Sequence, residues 1–228
     1  MHLFLTDRIT CPRCGPDFGL ILLAHDVRDR RVIRGDLGCS NCRETYPVTD
    51  GFGDLRAPPR SSLDRVPSPL PGPVTAAHLH DPETPLRLAA LMGVTEGPGT
   101  LLFTGPVSAQ AGAVARLIGG VEAVALDVSG VGREREEGVS AMVSWPGIPF
   151  FSDTFRGMVL SGDVEEQWVG EAARVLAPGC RIAMLDAPDA AAEWLDSGRF
   201  QVVMQEDGIL VAQKPAGQTV PLVPLRRA

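Results

Sequence analysis

The chain has 228 residues, of which 44% are hydrophobic and 21% charged, enough to bury one generous core or two small ones. A formal net charge of −7 argues against the all-over basic surface of a general nucleic-acid binder, though not against a local basic face. No apolar run reaches the roughly 18–20 residues of a membrane helix, and Met1-His2-Leu3-Phe4-Leu5 lacks the basic start and long apolar stretch of a secretion signal. The expectation is a cytoplasmic protein without a membrane span, with peripheral association to a membrane complex left open.

In chain order, the first 56 residues hold four of the five cysteines. Cys11-Pro12-Arg13-Cys14 and Cys39-Ser40-Asn41-Cys42 are two C-x2-C pairs with 24 residues between them. Each pair can form a knuckle that offers two thiolates to one side of a metal, and two knuckles complete a closed, tetrahedral four-cysteine zinc site with Zn–S near about 2.3 Å. Disulfides would need an oxidising compartment, for which the sequence gives no sign, and a redox pair would stand singly beside a βαβ unit. The predicted structural ligands are therefore Cys11, Cys14, Cys39 and Cys42. Between the knuckles, Leu20–Ile33 reads as a hairpin. Arg28, Arg30, Arg31 and Arg34 lie on and beside it, where alternate members of a strand would share a face able to grip phosphate or an acidic surface. Asp26 and Asp29 interleave with them, so a self-paired, solvated hairpin is the competing reading.

Residues 57–74 carry six prolines, Pro58, Pro59, Pro67, Pro69, Pro71 and Pro73, and read as an extended, semi-rigid linker. Beyond it, 75–213 alternates short apolar runs with amphipathic stretches. Thr84 and Pro85 open a helix whose Leu86, Leu88, Leu91 and Met92 are expected on one face. Strands are predicted at 100–104, 123–127, 157–161 and 181–185, and helices at 109–118 and 164–176. Phe200–Met204 and Ile209–Ala212 flank the turn signal Glu206-Asp207-Gly208. This order predicts a doubly wound, Rossmann-like α/β domain with a mostly parallel sheet and an antiparallel edge, preceded by a small β-rich zinc ribbon. Cys180 lies far from the other four cysteines and reads as a buried small residue. A proline-punctuated tail, 214–228, includes Thr219-Val220-Pro221-Leu222-Val223-Pro224-Leu225. An extended segment of that kind can lay aliphatic side chains into a groove on a partner protein, or can simply be a solvated terminus.

Two family resemblances follow from the motifs. Cys11-Pro12-x-Cys14-Gly15, the second knuckle and Tyr46-Pro47-Val48-Thr49-Asp50-Gly51 resemble the zinc-ribbon family that includes the small activator subunit of tRNA and translation-factor methyltransferases. Phe52-Gly53 here replaces that family's Ile-Pro. Ile148-Pro149-Phe150-x-x-Asp153-x-Phe155, Glu171-x-x-Arg174-Val175-Leu176-x-Pro178-Gly179 and the closing hairpin are similar to class I S-adenosylmethionine-dependent methyltransferases. That resemblance implies a seven-stranded sheet with the cofactor across the carboxyl ends of its first strands, as the switch-point rule expects.

It also implies cofactor groups, and these are largely altered. The family loop reads apolar-apolar-Asp/Glu-x-Gly-x-Gly-x-Gly. In this chain Phe103 stands where the acid belongs, Gly105 at the first glycine, Val107 at the second and Ala109 at the third. A β-branched residue obstructs backbone approach to a ligand, and Pro106 removes a donor. The adenine-acceptor position falls on Ser144. Asp127 remains as the ribose-side acid, or equally as a strand-end turn cap. Gly105 and Asp127 are thus the vestigial cofactor-binding candidates, and no catalytic residue is identified. His78 and His80 form an H-x-H pair with no third ligand nearby. The sequence favours a non-catalytic scaffold or accessory subunit in a larger protein assembly, since function is argued from the site and not from the fold. The alternatives are an active S-adenosylmethionine-dependent methyltransferase on RNA, protein or a small molecule, and a nucleic-acid-binding module that uses the ribbon arginines.

Overall fold

A computed structural model describes residues 1–60, 81–126, 136–162, 164–197 and 200–216. Asp127, His78, His80, most of the proline-rich segment and the tail beyond Ala216 lie outside the described residues. The N-terminal part holds a short helix α1 (Leu3–Thr6) and strands β1 (Thr10–Cys11), β2 (Gly15–Arg28), β3 (Arg31–Cys39), β4 (Thr45–Thr49) and β5 (Phe52–Arg56). These pair antiparallel in sequence order. Two tight turns set the registers. Asp29-Arg30 joins β2 to β3 and Asp50-Gly51 joins β4 to β5, with both central residues of each turn at positive φ. That is the type I′ geometry whose twist matches the flanking strands.

The remainder holds α2 (Thr84–Met92), β6 (Gly99–Thr104), a 3-10 turn (Gly105–Gln110), α3 (Ala111–Ile118), β7 (Val121–Leu126), β8 (Val139–Trp145) and β9 (Phe155–Ser161). Then come α4 (Glu166–Val175), β10 (Leu176–Leu185), α5 (Ala191–Ser197), β11 (Gln201–Glu206) and β12 (Ile209–Gln213). Among the described residues twelve strands form one sheet, in the order β1-β2-β3-β4-β5-β8-β7-β6-β9-β10-β12-β11. From β5 to β10 every neighbouring pair is parallel, and β12 and β11 close the far side antiparallel. Strand order reverses between β6 and β9, which is the switch point of the doubly wound part.

Alternation along the central strands sends side chains to two apolar layers. Leu101, Phe103, Ala123 and Ala125 meet Leu88 and Met92 of α2 and Val114 of α3. Leu102, Val124, Met158 and Leu160 meet Trp168 and Val169 of α4 and Leu195 of α5. The second layer continues through Leu55, Ile148, Phe150 and Phe155 into the ribbon core of Ile9, Leu37 and Tyr46. In α2 the expected face is partly wrong. Leu88, Ala89 and Met92 are buried, whereas Leu86 is 61% exposed, because two residues before Leu88 is about 200° round the helix. Glu83, not Thr84, occupies the cap. The helix expected from residue 109 begins instead at Ala111, after the 3-10 turn.

The ribbon is hydrogen-bonded directly into the larger sheet. β5 adds in parallel to the edge of β8, with Asp54 opposite Val143 and Leu55 opposite Ser144. Neither β5 nor β8 is among the strands expected from the sequence.

Candidate functional site

The four knuckle cysteines come together at one end of the ribbon, with all their sulfurs within 4.8 Å of one another. Cys11 Sγ lies 3.7 Å from Cys42 Sγ, and Cys14 Sγ lies 3.8 Å from Cys39 Sγ. Four thiolates on a tetrahedral zinc with bonds of about 2.3 Å would be about 3.8 Å apart, so the donor set fits that ion. Zinc supplies such a site with cross-linking and no redox chemistry. Cys11 and Cys39 are buried, while Cys14 and Cys42 are half-buried. Backbone N–H groups of Arg13 and Cys14 point at Cys11, and those of Asn41 and Cys42 point at Cys39. Asn41 Nδ2 donates to Cys14 Sγ at 3.3 Å.

One partner of the cluster went unrecognised in the sequence. The Tyr46 side chain is fully buried, and its hydroxyl lies 3.4 Å from Cys11 Sγ. Burial works against the Cys11 thiolate, but the Tyr46 hydroxyl and the knuckle N–H groups outweigh it and bring the thiol down to about 7. Burial and the neighbouring Cys11 push the Tyr46 phenol well up, so it stays a donor. Arg60 lies over the Tyr46 ring, 4.8 Å from its centroid, and donates to the Arg56 and Thr45 carbonyls and to Glu44. The only sequence signal for this was the position of Tyr46 four residues after the second knuckle.

The first knuckle is tied to the segment between β8 and β9. Thr10 N donates to Pro149 O, Phe151 N donates to Arg8 O, and Ile9 forms an antiparallel bridge with Phe150. Arg174 of α4 donates to the carbonyls of Ile148 and Phe150, and Glu171 accepts from Ile148 N while pairing with Arg174. The Ile148-Pro149-Phe150 and Glu171-x-x-Arg174 motifs are thus two halves of one brace, against which the first cysteine knuckle rests.

At the switch point, Gly105 has φ of +70°, and a Cβ there would collide with the Ser161 carbonyl of β9. The glycine is needed for close packing of the chain on itself. Val107 N donates to Ser161 Oγ at 2.9 Å, Ser161 Oγ donates to Thr104 O at 3.0 Å, and the Val107 side chain is fully buried. Phe103 is also fully buried, in the layer under α2 and α3. Ser144 is buried at the seam, where its Oγ lies 3.5 Å from Leu55 O of β5. These residues do not fit an S-adenosylmethionine loop in which backbone faces the ligand. Thr104 Oγ1, at the carboxyl end of β6, is buried with no hydrogen-bond partner.

The ribbon arginines are engaged differently, although Arg28 and Arg31 stand opposite each other across β2 and β3. Arg28 pairs with Asp26, Arg30 sits in the turn, and Arg31 makes a two-pronged contact with Glu122 of β7. Arg34 lies exposed on β3.

No family model matches the chain, and no curated protein matches it in sequence. Solved structures do resemble it. A chain of the complex between the Haloferax volcanii Trm112 methyltransferase activator and a methyltransferase aligns over 61% of this chain and 91% of that one, at 17% identity and TM-score 0.48. The [4+2]-cyclase SpnF aligns over 67% and 86%, at 16% identity and TM-score 0.49. An S-adenosylmethionine-dependent methyltransferase from Aquifex aeolicus aligns over 60% and 95%, at 16% identity and TM-score 0.43. At such identities the likeness concerns the fold alone. Among the described residues no helix is long and apolar enough to cross a membrane.

Proposed function

We propose that this protein is a non-catalytic accessory subunit, a zinc ribbon joined to a methyltransferase-like sheet, which works by docking within a larger protein assembly. Zinc on Cys11, Cys14, Cys39 and Cys42 holds the ribbon, contributing on the order of 10–16 kcal/mol as such sites do. The observation that carries the reading is the loop after β6. Gly105 packs on Ser161, Val107 is sunk in the core, and Val107 N is spent on Ser161 Oγ. Backbone that should face a cofactor is turned to the protein itself. The tail, 214–228, is the segment we assign to partner contact.

Titrating S-adenosylmethionine and S-adenosylhomocysteine calorimetrically into the zinc-loaded, full-length protein tests this. Silence at millimolar ligand is the expected result. Saturable micromolar binding that disappears in Asp127→Ala would overturn it and establish a working cofactor site.

The second reading, an active methyltransferase, has one observation in its favour. Thr104 Oγ1 is a buried hydroxyl without a partner at the carboxyl end of the first central strand, where a ligand group would satisfy it. The same titration on Thr104→Val separates the two readings, because affinity that falls in this variant favours the enzyme.

A further inference from the structure

The amino-terminal ends of β6, β7 and β9 form, with α1 and Arg8 just beyond it, a cleft of about 520 Å³, within the size range of small-molecule sites. β6 has six residues, so this cleft opens about 17 Å from the switch-point loop, at the other end of the strands. Its charge is decided by three side chains. Glu122 is the one carboxylate in the lining, and it is already neutralised. Arg31 Nη1 and Nη2 reach its two oxygens at 3.0–3.2 Å, and Ser140 Oγ donates to it at 2.5 Å. The Arg8 side chain is exposed and makes no hydrogen bond or ion pair among the described residues. Arg156 spends Nη1 on the Glu96 and Pro98 carbonyls, which leaves Nη2 and Nε without a hydrogen-bond partner among the described residues. Gly99 makes room for it, since a Cβ there would collide with Arg156 Cδ. Two arginines thus line a cleft whose only carboxylate among the described residues is already paired, a composition suited to phosphate.

The rim adds a flat apolar surface. Phe4 is 65% exposed and stands 5.5 Å from the His2 ring, centroid to centroid. Phe4 N donates to His2 Nδ1, so in the neutral ring the proton sits on Nε2, a further donor. Aromatic surface in a cleft also lined by two arginines suits a ligand that has a planar ring at one end and a phosphate at the other.

We propose that this cleft binds a nucleoside monophosphate or a close chemical relative, phosphate toward Arg8 and Arg156 and base on Phe4. The site stands apart from the accessory reading above and from the crevice at the carboxyl ends of the strands. Calorimetric titration of the zinc-loaded, full-length protein with adenosine monophosphate tests it. The expected result is saturable binding that weakens about tenfold in Arg8→Ala, as for loss of one charge-assisted hydrogen bond, and that weakens also in Phe4→Ala. Both side chains are exposed, so neither variant disturbs the core. Arg34→Ala, an exposed arginine elsewhere on the ribbon, leaves affinity unchanged, and inorganic phosphate competes weakly. Absence of binding would overturn the proposal. So would equal losses in Arg8→Ala and Arg34→Ala, which would mean diffuse attraction, or full competition by S-adenosylhomocysteine, which would move the ligand to the opposite end of the sheet.

Discussion

A phenol with no exposed surface must spend its hydroxyl inside the protein, and Tyr46 spends it on Cys11 Sγ. Partners of this kind, one bond removed from the metal, commonly govern affinity by about 10–100-fold. Tyr46→Phe is therefore expected to lower zinc affinity by at least about tenfold while keeping the ribbon folded at saturating metal. Competition against a chromophoric chelator measures it, and unchanged affinity would make Tyr46 a packing residue only. Cys180 offers a complementary experiment. Burial raises its thiol above the ordinary range, and nearby Arg156 and Lys214 only partly offset this. The thiolate is the reactive form, so at a fixed pH near 8 a raised pKa means less of it. In zinc-loaded protein, iodoacetamide should label Cys180 alone, slowly, and faster as pH rises past its usual value. With chelator and denaturant all five cysteines of the sequence should react. Rapid labelling of more than one thiol in the loaded protein would show that the knuckle cysteines hold no metal.

Strand β5 is the element on which the architecture turns, and it shows why part of the fold was hidden in the sequence. Its five residues, Phe52-Gly53-Asp54-Leu55-Arg56, mix two apolar side chains with a glycine and two charges, without the apolar alternation that marks a strand. Yet Asp54 and Arg56 are both buried, because the carboxylate takes Arg56 Nε at 2.8 Å and Nη2 at 2.7 Å along the same strand. The bond to Asp54 holds the Arg56 guanidinium more firmly charged. Strand β8 is disguised in the same way. Ser140 and Ser144 fill buried positions, and their hydroxyls are used by Glu122 and Leu55 O. By contrast Leu101-Leu102-Phe103 and Ala123-Val124-Ala125 announce themselves, since strands covered on both faces must be apolar throughout. The grouping of the four knuckle cysteines was legible from spacing alone, whereas the closure of the Gly105 loop on Ser161 was not, because it depends on a residue 56 positions downstream. Two substitutions probe the seam. Leu55→Ala should cost about 2–5 kcal/mol in denaturant unfolding, as other buried leucines do. Asp54→Ala should cost about 3–5 kcal/mol by stranding a buried guanidinium. Losses below about 1 kcal/mol in both would mean that β5 is not packed at the seam, since buried truncations of this kind cost more.

At the scale of the whole molecule, metal, ribbon and sheet form one mechanical series. Zinc would fix the first knuckle, Arg8 and Thr10 leading into it are bonded to Phe151 and Pro149, and Arg174 and Glu171 brace that segment from α4. Stripping the metal should therefore raise hydrogen exchange in β8 and in residues 148–151, as well as in the ribbon, while β10 and β12 stay protected. Exchange confined to the first 56 residues would mean that the ribbon unfolds alone. The seam has a further consequence, one of supply. As separate chains, the ribbon and the sheet would have to meet at whatever concentrations the cell provided, and their contact would fade on dilution. Joined in one polypeptide, they find each other at an effective concentration set by the connecting segment and not by expression level. The edge of β8 is then occupied in nearly every molecule regardless of expression level, and it is withdrawn from competition by any other strand.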